Sequence, residues 1–261
     1  MNESAFEQIQ TSARYLGIEL FTEELAVYAS EKNLSPETIE ELKDVFAYLQ
    51  QKKNDRIIAT LLKMSRMPQK EPKTFEGYDF SRITGKDSEA LKNLPSLSAI
   101  HAHKNIAFIG PPGLGKTHLA MAYGRECCKQ GMKTYFLKAT ELNQKLLHAR
   151  KYGHVGTTVT SMVKPSCLII DEVGRCVFDV ENTRIFFDII DRRYNKEGSN
   201  CIIFTSNTSP NQWRQFFSEE DSLLCSLDRL FDNAAVFVMK GESYRGRKLE
   251  TYAVEAGASA K

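Results

Sequence analysis

The sequence predicts an α/β protein in which a central parallel sheet carries helices on both faces and follows a small all-helical region. Three observations carry that prediction. Short apolar runs at 105–109, 133–137, 167–171, 201–205 and 235–239 alternate with helical stretches, the pattern of strands buried on both faces. Gly110-Pro111-Pro112-Gly113-Leu114-Gly115-Lys116-Thr117 fits G-x-x-x-x-G-K-[ST] directly after the first run. Residues 1–67 hold no strand-like run and repeat apolar residues at helical spacing.

In chain order, Ser35-Pro36-Glu37 supplies an N-cap, a first-position proline and an early acid, and Ile39, Leu42, Val45, Phe46 and Leu49 then share one helical face. Ile57, Ile58, Leu61 and Leu62 continue the pattern among basic residues until Pro68 stops it. Residues 68–85, with Pro68 and Pro72 and no helical period, read as a linker. Its Phe75, Tyr78 and Phe80 either anchor the segment on the next domain or wall an adenine pocket. A helix over 86–102 delivers the chain to the first strand, and one over 118–129 follows the glycine loop and stops at Gly131. The expected organisation is a helical module for DNA or partner binding at 1–67, the linker, a nucleotide-binding domain at 86–250 and a disordered tail at 251–261.

Composition narrows the class. An apolar fraction of 42% supports a sizeable core, while no apolar run reaches a membrane span and the amino terminus lacks a secretory pattern, so a cytoplasmic protein is expected. Six scattered cysteines without C-x-x-C read as reduced, mostly buried thiols. The formal charge of +2 hides an acidic first fifty residues followed by a basic stripe. Lys52, Lys53, Arg56, Lys63 and Arg66 in that stripe suit either a nucleic acid or a solvated helix face.

The octet at Gly110–Thr117 points to phosphate binding because glycines let backbone N–H groups turn inward and the helix that follows adds positive potential. Lys116 would reach the β- and γ-phosphates, His118 continues the loop into its helix, and Thr117 would offer a hydroxyl to Mg²⁺. Cys167-Leu168-Ile169-Ile170-Asp171-Glu172 is an apolar strand ending in two carboxylates. Asp171 suits the Mg²⁺ shell, and Glu172, expected on the other side of the pleat, suits a base that polarises water. Asn207, just past the 201–205 strand, is placed to orient that water or bond the γ-phosphate.

Together these motifs resemble the AAA+ ATPases, with Asn207 at their sensor position, and within them the DnaC/IstB group, IstB-like transposition helper ATPases in particular. The resemblance rests on Lys63 with the 68–80 linker, Gly110 to Ala120, Leu168 to Gly174, Asp228-Arg229-Leu230 and Lys240 to Arg245, and spans about residues 50–250. It implies a three-layer P-loop domain without a separate carboxy-terminal lid, ATP and Mg²⁺ as ligands, and a homo-oligomer with ATP sites at subunit interfaces. It further implies duplex DNA and a cognate transposase as partners. Arg229 matches the arginine finger that completes a neighbour's site. Arg245 either reaches nucleotide from the short end of the chain or is an ordinary surface arginine. Lys145, Arg150 and Lys151 fall where AAA+ initiators carry DNA-facing loops. Two other readings compete: a DnaC-like loader of a replicative helicase onto single strands, and a small-molecule phosphotransferase.

Overall fold

The computed structural model describes residues 4–218, 229–241 and 243. The expected 251–261 tail, Asp228, Cys225 and Arg245 lie outside them. The chain divides into two compact units, Met1–Lys63 and Met64–Lys261.

In the first unit, α1 (Ala5–Leu16) starts at a capping box in which Ser4 N–H donates to Glu7 Oε2 at 2.6 Å, and it ends on Gly17. α2 (Thr22–Glu31) and the 29-residue α3 (Pro36–Met64) follow, the latter entered through Ser35 and Pro36 as the sequence predicts. α1 lies along the middle of α3: Ser12 Oγ donates to Gln50 at 2.8 Å and Tyr15 OH to Asn54 at 3.1 Å. An apolar cleft of about 490 Å³ opens between these helices, lined by Phe6, Ile9, Leu25, Ile39, Leu42 and Phe46.

The second unit is built on a parallel sheet. Its strands are β1 (Asn105–Ile109), β2 (Thr134–Lys138), β3 (Cys167–Val173), β4 (Cys201–Ser206) and β5 (Ala234–Val238), in the order β2-β3-β4-β1-β5. Alternation of side chains puts Ile106, Phe108, Ile169 and Ile203 on one face and Ala107, Ile109, Ile170 and Phe204 on the other, all buried. The first face is covered by α6 (Lys116–Lys129). The second is the larger core, shared with α7 (Ala139–Lys151), α8 (Val155–Val163) and α9 (Val180–Tyr194) through Leu142, Leu146, Met162, Phe186 and Ile190. All five predicted strands are present within one or two residues of their expected ends.

Two stretches differ from expectation. The region 86–102 is not one helix but α4 (Ser88–Lys92), a 3₁₀ turn at Leu94–Ser96 and α5 (Ser98–His101). Pro95 removes a backbone donor there, and Leu97 adopts φ 55°. The segment expected as a linker is packed onto the sheet unit, with Phe75 and Tyr78 buried; so is the end of the region expected as the helical module, where Ser65 and Met67 are buried and Phe136 N–H donates to Ser65 O at 2.8 Å, satisfying part of the edge of β2. Cys127, Cys128, Cys167 and Cys201 are buried free thiols. Among the described residues no helix is long and apolar enough to cross a membrane.

Candidate nucleotide site

β1 runs straight into the glycine loop, and α6 leaves it at Lys116. Gly113 and Gly115 hold φ of 85° and 82°, a backbone only glycine adopts freely. A Cβ on Gly115 would meet the Tyr78 ring at 2.6 Å, and one on Gly113 would collide with Ser243 Oγ. The loop is thus a backbone cradle clamped from both sides. Lys116 is buried, its ammonium donating to Gly110 O at 2.6 Å and Pro111 O at 2.7 Å.

Two carboxylates close the cradle. Thr117 Oγ1 donates to Asp171 Oδ1 at 2.7 Å, and Thr205 Oγ1 donates to the same oxygen at 2.5 Å. Burial holds the Asp171 carboxyl above the usual carboxylate range, opposed by those two hydrogen bonds. Glu172 does not sit on the opposite side of a regular pleat. The β3–β4 register shifts between Ile170 and Val173, Glu172 has φ 60°, and its N–H donates to Thr205 Oγ1 at 3.0 Å. The bulge turns its carboxylate toward Lys138 (3.2 Å) and Arg175 (3.3 Å). Asn207 is exposed on the turn after β4. A cavity of about 540 Å³ brings Lys116, Thr117, His118, Glu172, Arg175 and Asn207 to one space.

A second cavity, about 450 Å³, lies on the other flank of the loop, walled by Tyr78, Ile83, Leu91, Leu114, Val236 and Met239. Phe75 and Phe80 line neither cavity. Phe75 is buried, with its ring 6.3 Å from that of Phe80. His118 is also tied to this segment, its Nε2 2.7 Å from Thr74 O and its ring 5.4 Å from that of Tyr78.

Arg229 lies elsewhere. It lies in helical residues 229–232, pairs with Asp191 at 2.6 Å and lines a cavity with Asn105, Asn200 and Ile202, at the start of β1 and β4. The phosphate loop leaves the other end of β1. Asn105 fastens this helix to the sheet: its Nδ2 donates to Leu230 O at 2.9 Å, and its Oδ1 accepts from Ile202 N–H at 2.9 Å.

The basic residues separate into two groups. Lys53 donates to Tyr15 O at 2.8 Å, Arg66 to Tyr135 OH at 3.1 Å, and Arg150 is held by Asp179, Glu181 and Asn182, so each of these three has a partner within the chain. Lys52, Arg56, Lys63 and Lys151 are exposed, and Lys145 is half-buried. Sequence reasoning missed Thr205, Lys138 and Arg175. Thr205 stands two residues before Asn207 at a strand tip, a legible signal; the other two act only through the bulge.

Fold and site define an α/β protein with a phosphate-binding loop where its first strand meets a helix. The chain belongs to the family of the IstB-like ATP binding protein, whose model matches residues 15–251. It is 37% identical over 227 residues to the ATP-binding protein named for insertion sequence IS5376 of Geobacillus stearothermophilus, covering 86% of each chain. It is 32% identical over 193 residues to that of insertion sequence IS21 of Pseudomonas aeruginosa, covering 74% of this chain and 71% of the relative. In fold it is similar to DnaI (TM-score 0.55, 18% identity, 69% of this chain and 95% of that one). It also resembles AMPPCP-bound DnaA from Aquifex aeolicus (TM-score 0.51, 22% identity), covering 64% of this chain and 50% of that one.

Proposed function

We propose that this chain is an ATP-hydrolysing helper of an insertion-sequence transposase, which assembles on target duplex DNA and assists the transposase in selecting and engaging its target. The observation that carries the ATPase reading is the single space that gathers Lys116, Thr117, Glu172 and Asn207 around a buried Asp171. Thr117 and Asp171 form a hydroxyl and carboxylate donor set that suits Mg²⁺, which would offset charge on the β- and γ-phosphates. Lys116 neutralises the same phosphates, and the backbone of Gly113 and Gly115 wraps them. Glu172 accepts the proton of the attacking water, which Asn207 orients. The cavity walled by Ile83, Leu91 and Leu114 suits the adenine.

Arg229 cannot serve its own loop from the far end of β1, which supports a role in trans at a neighbour's γ-phosphate. Hydrolysis then depends on assembly. The insertion-sequence names of its relatives support the transposase as partner. The test is Glu172→Gln: it is expected to keep ATP affinity within about threefold, cut turnover at least about a hundredfold and prolong assemblies on duplex DNA. Wild-type turnover in that variant would overturn the base assignment.

One observation favours a second reading, a loader acting on single strands. Tyr152 is exposed at the end of α7, with Lys151 Nζ 5.3 Å from its ring centroid, a pairing suited to base stacking. ATP-dependent assembly on single-stranded but not duplex DNA would select it over the transposition reading.

A further inference from the structure

The two sides of α3 are used differently. Ile39, Phe46, Gln50 and Asn54 occupy the side that faces α1 and the apolar cleft. Turned roughly 145° from them, Glu41, Val45, Tyr48, Leu49, Lys52 and Arg56 fall within a sector of about 100° at helical spacing. Val45, Tyr48 and Leu49 there are 52%, 60% and 43% exposed. No residue of this 29-residue helix is buried. Charge along the outer face is polarised, with Glu41 on the amino-terminal side of the apolar patch and Lys52 and Arg56 on the other. Such a face complements itself when turned end for end.

We infer that this outer face of α3 is a two-fold interface between two copies of the chain, crossing antiparallel. An axis between Tyr48 and Leu49 sets Glu41 against the second copy's Arg56 and, by symmetry, Arg56 against its Glu41. Val45 then meets the aliphatic stem of Lys52, and Tyr48 and Leu49 fill the centre. Lys52 is already drawn toward the patch, its Nζ 5.3 Å from the Tyr48 ring centroid. A parallel crossing would oppose like charges and align the helix dipoles. A DNA backbone attracted by Lys52 and Arg56 would leave Val45 and Leu49 in water and bring Glu41 toward phosphates, so a second copy fits this face better. The interface uses no residue of the ATP site. It is a second contact, independent of the one that Arg229 makes in the proposed assembly.

Sedimentation equilibrium of the full chain without nucleotide or DNA tests it, in an Arg229→Ala background that disables the other contact. A dimer is expected at concentrations up to about 100 µM. Glu41→Arg and Arg56→Glu should each weaken it by about tenfold or more, and the double swap should return it to within about threefold. A monomer throughout, insensitivity to both single changes, or failure of the double swap to restore association would overturn the inference. So would loss of duplex DNA binding on Arg56→Glu with an unchanged mass, which would assign the face to DNA. Circular dichroism identifies any variant that loses helix. A photo-crosslinker at Tyr48 in the otherwise unchanged chain supplies the independent measurement: attachment within residues 45–52 of a second chain is expected, and attachment elsewhere or none refutes the interface.

Discussion

Burial of Asp171 works against its charge in the nucleotide-free protein. Its folded carboxyl titrates above the ordinary range because it is buried, so the stability linked to it is full at low pH and lost as pH rises through the folded value. At neutral pH, Asp171→Asn keeps an acceptor for Thr117 and Thr205 and removes the desolvated charge. The nucleotide-free protein is expected to gain ~1 kcal/mol of stability, while Mg²⁺-dependent ATP affinity falls at least about tenfold. Thermal melts with and without MgATP check both, and a melting point that drops would contradict the desolvation account. Glu172 poses the complementary problem. Lys138 and Arg175 both neutralise the carboxylate proposed as base. Lys138→Met is therefore expected to raise ATP turnover about two- to fivefold in the absence of DNA, and steady-state phosphate release would detect it; slower turnover would mean that Lys138 assists the reaction.

At the scale of elements, Arg193 on α9 joins three segments. Its guanidinium, wholly buried, donates to the carbonyls of Met162, Val163, Pro165, Ser166 and Cys201, at 2.8 to 3.2 Å. Burial lowers its pKa to about 10, so it stays charged in the physiological range. Arg193→Met would strip those carbonyls of their donor and is expected to cost ~3–4 kcal/mol, measured by urea unfolding; a loss below ~1 kcal/mol would mean that water replaces it. Nothing in the local sequence distinguishes Arg193 from exposed Arg192, because the carbonyls it satisfies come from the α8–β3 connection and from β4. The sheet, by contrast, was legible, since each strand declares itself by a local apolar run. Pro95 carried a signal that the expected 86–102 helix passed over, and the helix breaks where the missing donor requires. The bulge at Glu172 depends on the pairing of β3 with β4, and the internal partners of Arg150 and Lys53 come from distant helices. Periodicity cannot show either.

For the molecule as a whole, the site was readable as a list of residues but not as a division of labour. Lys116, Thr117, Asp171, Glu172 and Asn207 converge, whereas Arg229 stands at the opposite end of the sheet. Arg229→Ala is expected to leave ATP affinity of the dilute protein within about threefold while lowering turnover of the assembled protein by about a thousandfold. Equilibrium titration with a fluorescent ATP analogue, beside turnover at high protein concentration, separates the two. Loss of affinity in dilute protein would place Arg229 in its own subunit's site. Asn105 gives that arrangement a further property. It ties the Arg229 helix to the start of the strand whose far end becomes the phosphate loop, a rod of about 16 Å. In the proposed assembly, what a subunit feels at its own γ-phosphate and what it presents to the next would be two ends of one rigid piece. A row of subunits, if they assemble as proposed above, would have a direction in time as well as in space, each one's chemistry setting the clock of its neighbour.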